Sequence, residues 1–350
     1  MTAIHIRRDD LRVATPAPLA TPAPVEGQVR FRVDRFALTS NNVTYAAHGD
    51  DLGYWRFYPA PDGAGIVPVW GFGTVEESRV DGIATGERFY GYWPMATHAV
   101  LQPVKLTPRG FADGAPHRAD LAAVYNGYQR WTGSAGEEAV QALFRPLYTT
   151  AFLLADQIAG DGKPPAAVVM SSASSKTALG LGFALRDAGV ERIGLTSPRN
   201  RAFAERAGVY DRVLGYGEIG EADAPSAAYV DFAGDGTLRR AVHQQFGDRL
   251  TASIVVGDTH WDVSPGGEPL PGARPEFFFA PTQLTQRLAD WGPAEFERRM
   301  GESWAGFVAV AKNWLTVVEG RGADEVARQW RRMAGGDVDP AEGLMLSVHD

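Results

Sequence analysis

The stretch from Ala166 to Asn200 constrains this chain more than any other. It opens with a short apolar run, Ala166 to Met170, bounded by Pro164-Pro165, which reads as a fully buried strand. A small polar loop follows, Ser171 to Thr177. Ala178, Leu179, Leu181, Phe183, Ala184 and Leu185 then put one apolar face on a helix that ends at Gly189. A second short run, Ile193 to Leu195, stops at Thr196-Ser197-Pro198-Arg199. Strand, loop, helix and strand within about thirty residues make one βαβ unit, the unit that opens a dinucleotide-binding sheet.

The alternation continues downstream. A short helix from Arg201 to Ala207 leads to Asp211-Arg212-Val213-Leu214, then to a buried strand, Ala227 to Phe232, that stops at Ala233-Gly234. Leu238 to Phe246 reads as a helix, Ser253 to Gly257 as a strand and Glu276 to Ala280 as a last strand. Units of this kind in series predict an α/β fold with a doubly wound, Rossmann-type parallel sheet.

Upstream the pattern differs. Pro16, Pro18, Pro22 and Pro24 predict a solvated connector, after which Val29 to Val33 alternates as a half-buried strand. Val67 to Val75 and Gly86 to Trp93 give further short strands, with tight turns at Asp81-Gly82 and Thr85-Gly86. Residues 1 to about 108 are thus mostly strand, as in a small β-rich barrel or sandwich. Glu137 to Leu143 and Thr149 to Ile158 read as two helices. In the tail, Phe307 to Val318 and Ala323 to Met333 read as helical, and Gly343 to Val348 as a strand expected to return to the N-terminal β domain.

Composition removes several classes of function. The 350 residues suit roughly two domains. A formal net charge of −8 without a long basic run argues against a nucleic-acid groove or an anionic membrane surface as partner. No window is apolar enough to span a membrane, and the N-terminal residues lack the apolar core of a signal peptide, so a cytoplasmic location is expected. The chain has no cysteine, which excludes disulfides, thiol chemistry and cysteine-ligated zinc. Its seven scattered histidines form no HExxH, so no metal is expected. There is no GxxxxGK[ST] of a P-loop and no GxSxG elbow, and none of the eleven tyrosines has a lysine four residues on.

Three stretches carry a family resemblance. Gly71-Phe72-Gly73-Thr74-Val75 precedes Gly86-Glu87-Arg88-Phe89-Tyr90-Gly91; Thr149-Thr150-Ala151-Phe152 opens a helix; Ala207-Gly208-Val209-Tyr210-Asp211-Arg212-Val213 follows the second strand of the βαβ unit. Together with the order of elements they resemble the zinc-free, quinone-oxidoreductase-like branch of the medium-chain dehydrogenase/reductase superfamily. Within it the chain looks like a bacterial branch described only as a domain of unknown function. The resemblance implies a β-rich, barrel-like (GroES-like) catalytic domain over residues 1–120 and 305–350. It implies linking helices and a Rossmann domain over 121–304, and a homodimer. Where the superfamily usually has GAAGGVG, this chain has Ser172-Ala173-Ser174-Ser175-Lys176-Thr177-Ala178. Serine takes positive φ less cheaply than glycine, so the loop is expected to follow a somewhat different path.

That loop still offers backbone N–H groups at a helix N-terminus, with the hydroxyls of Ser172, Ser174, Ser175 and Thr177 and the Lys176 ammonium added, a setting suited to a pyrophosphate. At the end of the second strand, where an acid would favour NAD, stand Ser197, Arg199 and Arg201, which favour NADPH. Phe232, Gly257 and Asp258 fall at carboxyl ends of predicted strands and complete the expected cofactor edge. His260, just beyond, is the histidine best placed for acid–base work. By resemblance, Asn41, Asn42 and Tyr45 fall where the zinc-free branch places polar groups facing the nicotinamide, and a Tyr45 hydroxyl could protonate or polarise a substrate. Asn41-Asn42 could equally make a turn. Tyr54, Trp55 and Trp93 could wall a small aromatic substrate or be core, and Tyr125, Tyr128 and Arg130 form a further candidate patch. The activity implied is zinc-independent hydride transfer from NADPH to an activated C=C, carbonyl or quinone. An NADPH-binding sensor without turnover, and a non-redox lyase or isomerase on the same fold, stay open beside it.

Overall fold

The structure, a computed structural model, is described for residues 1–61, 63–160, 163–256 and 269–350. The chain folds as two compact units, residues 1–143 with 316–350, and residues 144–315.

In the second unit six strands form one parallel sheet. Across the sheet they run Arg212–Gly215, Glu191–Thr196, Ala167–Met170, Ala227–Asp231, Leu250–Val255, Pro275–Phe277. Numbered along the chain, that is the order 3-2-1-4-5-6 of the doubly wound Rossmann sheet. The order reverses between Ala167–Met170 and Ala227–Asp231, which pair in parallel from Ala167 with Ala227 to Met170 with Val230. All four residues of Ala167–Met170 are fully buried, which is why this strand reads as an unbroken apolar run rather than an alternating one. The helix Gly236–Phe246 packs Leu238, Val242 and Phe246 on one face of the sheet, against Val169, Ile193, Leu195 and Tyr229. A separate aromatic group, in which Tyr148 stacks on Phe307 at 4.4 Å and Phe183 meets Phe307 edge-on at 5.7 Å, joins three helices of the unit.

The two helices expected between Glu137 and Ile158 are one, Ala135–Ala159, with Pro146 inside it. A proline removes one helical hydrogen bond and crowds the preceding turn. Here a continuous buried stripe, Ala139, Val140, Leu143, Leu147, Ala151 and Leu154, holds the helix together through that point.

In the first unit a three-stranded sheet orders Asp10–Pro18, Thr2–Arg7 and Ala64–Gly65. Pro16 and Pro18 therefore lie in an edge strand rather than in a solvated connector, at positions where a missing N–H breaks no ladder. A nine-stranded sheet carries most of the remaining strands. Within it Val29–Leu38 pairs with Pro68–Ser78, which pairs with Arg88–Pro94. An unforeseen helix, Ser40–Ala47, follows Val29–Leu38. The helix expected to run to Val318 stops at Ala311, and Thr316–Arg321 is a strand. Its β-branched Thr316-Val317-Val318 favours the extended form, and it pairs in parallel with the last strand, Glu342–Ser347. That last strand in turn pairs antiparallel with Val29–Leu38, matching Leu344 to Leu38.

Between these two late strands lies the helix Ala323–Ala334. Its Trp330 is fully buried and donates from Nε1 to the Leu11 carbonyl at 2.7 Å, fixing the tail of the chain to its beginning. Removing so large a buried ring with its bond costs on the order of 3–5 kcal/mol. We expect Trp330→Ala to lower the urea midpoint accordingly; a midpoint equal to wild type would show that the tail is not docked this way.

Candidate nucleotide site and tyrosine cluster

The loop Ser171 to Ser175 leaves the first strand of the Rossmann sheet beside the point where strand order reverses. Ser172 has φ of +47°, the left-handed backbone that glycine adopts at least cost. Ser172 stands where the superfamily pattern has its first glycine, and the serine takes the left-handed conformation there despite its Cβ. Ser175 caps the helix Lys176–Ala184, its Oγ accepting from the Ala178 N–H at 3.3 Å. The backbone between them is pinned on both sides: Ala173 N–H donates to the Leu195 carbonyl at 3.0 Å, and the Tyr210 hydroxyl donates to the Ala173 carbonyl at 2.8 Å. Ala173 also approaches the second strand so closely that a Cβ on Gly194 would lie 2.8 Å from its own. Asn200 Nδ2 donates to Ser174 Oγ at 3.1 Å, tying the loop to the turn after that strand. Ser172, Ser174, Ser175, Lys176 and Thr177 are all half-buried.

Beneath the loop lies a closed polar network. Ser171, with no exposed surface, donates to Asp231 Oδ1 at 2.9 Å and accepts from the N–H groups of Phe232 and Ala233 at 2.8 and 3.0 Å. Asp231 Oδ1 also accepts from the N–H groups of Ala233 and Gly234, and Oδ2 accepts from Arg239 Nε at 2.9 Å. Phe232, half-buried, is thereby held at the carboxyl end of its strand. Sequence reasoning missed this trio. The signal was a lone aspartate closing an otherwise apolar strand, with an arginine eight residues on.

At the end of the second strand, Ser197 is half-buried and Arg199 is exposed in the turn Pro198–Asn200. Arg201 is held by carboxylates: Nη1 meets Glu218 at 2.8 Å and Nε meets Glu205 at 3.2 Å. These bonds push its already high pKa up further. Of the two guanidinium groups read as phosphate ligands, Arg201 is thus committed to carboxylates within the fold. Gly257, Asp258 and His260 lie outside the described residues. Among the described residues no three histidines or carboxylates are grouped to hold a metal ion.

In the first unit the helix Ser40–Ala47 carries Asn41, Asn42 and Tyr45. Asn42 is a capping residue. Its Oδ1 accepts from the Thr39 N–H at 2.8 Å, and its Nδ2 donates to the Pro68 carbonyl at 3.1 Å. Asn41 is half-buried and interacts with the Tyr45 hydroxyl. Tyr45 is buried among aromatic rings, 4.5 Å from Tyr54, 5.6 Å from Tyr92 and 6.2 Å from Tyr125 between centroids, and accepts from Trp70 Nε1 at 3.4 Å. Burial raises the pKa of all four tyrosines, furthest for Tyr92 and Tyr125, so every hydroxyl keeps its proton at neutral pH. Tyr92 and Trp70 were not singled out in the sequence. Tyr90 and Tyr92, two apart on one strand, were the trace of an aromatic face.

The remaining sequence candidates are taken up by the fold. Trp55 fills a slot between Gly49 and Gly65, where any Cβ would strike its ring. Trp93 is fully buried, donates to the Gly71 carbonyl at 3.0 Å and packs on Phe31 and Tyr128. Tyr128 donates to the Tyr92 carbonyl at 2.6 Å and accepts from the buried Arg118 at 3.2 Å. Arg130 clamps two turns, donating to the carbonyls of Gly82 and Thr107 and pairing with Glu87 at 3.2 Å.

A family model described as "Protein of unknown function (DUF2855)" matches residues 36–339. The chain belongs to that family. No curated protein matches it. Among solved structures, CurA from Vibrio vulnificus in complex with NADPH is 13% identical, covering 96% of this chain and 94% of that one, with a TM-score of 0.63. A quinone oxidoreductase from Pseudomonas syringae pv. tomato DC3000 is 15% identical over 98% of this chain and 99% of that one, with a TM-score of 0.62. The yhdH oxidoreductase from Salmonella enterica in complex with NADP is 14% identical over 99% of each chain, with a TM-score of 0.54. Identities this low speak for the fold, a Rossmann-type sheet with a GroES-like β-rich part.

Two substitutions test the loop and its support. A serine in the left-handed region is strained by roughly 1–2 kcal/mol, partly offset in a glycine variant by the entropy of the unfolded chain. Ser172→Gly is expected to raise stability by up to about 1 kcal/mol in urea unfolding; a loss would mean that the backbone there is not left-handed. Arg239→Met leaves the Asp231 carboxylate buried and unpaired, which typically costs about 3–5 kcal/mol. Near-wild-type stability in that variant would rule out the closed network.

Proposed function

We propose that this protein is a zinc-independent, NADPH-dependent oxidoreductase acting on an activated C=C bond, a carbonyl or a quinone. The observation that carries this reading is the left-handed Ser172 loop at the reversal point of a 3-2-1-4-5-6 parallel sheet. In this reading the left-handed backbone at Ser172 gives the turn by which a dinucleotide's phosphates approach a helix N-terminus, with serines in place of the superfamily's glycines. The solved structures of similar fold that hold NADPH or NADP support the same reading. In it, the first-turn N–H groups of Lys176–Ala184, the hydroxyls of Ser174 and Thr177 and the Lys176 ammonium hold the pyrophosphate. Arg199 and Ser197 meet the 2′-phosphate, where a planar guanidinium binds bidentately. When bound, the nucleotide supplies the hydride.

What the chain itself supplies is orientation and a proton. The Asp231–Arg239–Ser171 network holds the ends of two adjacent strands without offering a charge to the ligand, because the carboxylate is fully satisfied. Tyr45, kept protonated by burial and accepting from Trp70, directs its own hydrogen to a substrate oxygen, as a hydrogen-bond donor or general acid.

Fluorescence titration with NADPH and NADH tests the cofactor assignment. NADPH should bind about tenfold or more tightly than NADH, and Arg199→Ala should remove most of that preference. Lys176→Ala should weaken both nucleotides. Equal affinity for the two, or indifference to both substitutions, would dispose of the phosphate assignments. With enones and quinones as substrates, Tyr45→Phe should reduce kcat about 10²-fold or more with little change in KM. NADPH binding without turnover across such a panel would point to a sensor instead. Product formed without nucleotide would point to a lyase or isomerase.

A further inference from the structure

Each sheet ends in margin strands whose outward N–H and C=O groups could pair with another chain. Most of these margins are blunted. Asp10–Pro18 carries Pro16 and Pro18, and Ala64–Gly65 is too short to offer a ladder. Pro103–Thr107 opens on a proline, and Lys105, with φ of +52°, interrupts its ladder between Val104 and Thr107. At Arg212–Gly215 the Val213 carbonyl is taken by Arg201. Pro275–Phe277 is short and opens on a proline. The remaining margin, Thr316–Arg321 of the first unit, has no proline and no bulge.

The direction of each backbone group along this strand follows from its one neighbour. Thr316 N–H donates to the Ala341 carbonyl and Gly322 N–H to the Ser347 carbonyl, so the even-numbered residues turn their backbone toward Glu342–Ser347. The N–H and C=O groups of Val317, Glu319 and Arg321 point away from the sheet, and among the described residues they have no hydrogen-bond partner. The side chains of these residues are exposed as well. Val318 packs against the core instead, and a Cβ on Gly320 would lie 2.8 Å from Leu346. On the exposed face Glu319 meets Arg35 at 2.9 Å yet remains 61% exposed. Arg321 has no ion-pair partner among the described residues.

We propose that Thr316–Arg321 is a self-association edge, to which a second copy of this chain adds antiparallel, centred on Gly320, with Glu319 of each copy paired to Arg321 of the other. Two antiparallel copies bring their outward groups together only in certain registers. Centred on Glu319, they set Glu319 against Glu319, a direct like-charge pair. Centred on Val318, they set Glu319 against the apolar Val317. Centred on Gly320, they overlap from Val318 to Gly322, and each Glu319 faces the Arg321 of the other copy. The two Gly320 residues then form the central pair without mutual hydrogen bonds, where strands come closest. Opposite charges at successive outward positions deter most strands but complement an identical strand running the other way. The contact is isologous and closes at two copies. It depends on neither the nucleotide nor the oxidoreductase reading.

Because the chain has no cysteine, single cysteines report the register in the full-length protein. Glu319→Cys and Arg321→Cys, mixed and treated with the thiol oxidant diamide, should form a disulfide-linked dimer containing one copy of each. Facing hydrogen-bonded pairs lie about 5.5 Å apart between Cα atoms, within disulfide reach. Each variant alone should give at least about fivefold less, because identical positions are offset along the strands to beyond about 7 Å. Sedimentation velocity over a concentration series gives a second readout. The wild-type chain should dimerise reversibly. Glu319→Arg, which opposes arginine to arginine, should weaken dimerisation about tenfold or more, and combining it with Arg321→Glu should restore affinity to within about threefold. That rescue separates pairing across the two-fold axis from any effect on folding. A monomer at every concentration, a mixture that yields no more disulfide than either variant alone, or a double reversal no tighter than the single one would each overturn the proposal.

Discussion

The second unit depends on a carboxylate that never meets water. Asp231 ends the strand beside the reversal point, and burying its charge is tolerable only because Ser171, two backbone N–H groups and Arg239 surround it. Such a network is worth little as a source of net stability, but it is demanding in geometry, since each member is costly to leave unmatched. Ser171 sits at the end of one strand and Asp231 at the end of its neighbour, so satisfying the carboxylate also fixes the separation of the two strand ends. The left-handed Ser172 follows directly. Its strain is sustained by a residue on one side that cannot move and by a backbone on the other that is bonded to Leu195 and Tyr210.

The same logic explains what could be read from the sequence. Ala167–Met170 was legible because full burial on both faces leaves an uninterrupted apolar run, and the helix after it because its apolar spacing is regular. Ser172 was not. Backbone handedness at a serine is set by the contacts of its neighbours, and those contacts come from Leu195 and Tyr210, more than twenty residues away. The helix Ala135–Ala159 reads as two pieces in the sequence for the opposite reason, a strong local breaker, Pro146, that the buried stripe on either side overrides.

In the first unit the candidate residues divide by a property that sequence does not encode, the fate of each polar atom. Asn42 and Tyr45 are neighbours on one short helix, yet the amide of Asn42 is wholly engaged in capping while the hydroxyl of Tyr45 looks toward other phenols. Trp55 and Trp93 are aromatic residues of the kind that line ligand sites, but glycines shaped around one and a carbonyl bonded to the other make them framework.

The edge strand Asp10–Pro18 has a consequence for assembly. Leu19 N–H turns inward to the Met1 carbonyl, so along this strand the even-numbered residues face outward, and Pro16 and Pro18 are two of them. Neither can offer an N–H to an approaching chain, and the outward carbonyl of Ala14 is already taken by Arg331. A sheet margin of this length would otherwise be a template for strand addition. With two of its outward donors missing and an acceptor occupied, this margin is a poor template for a second copy.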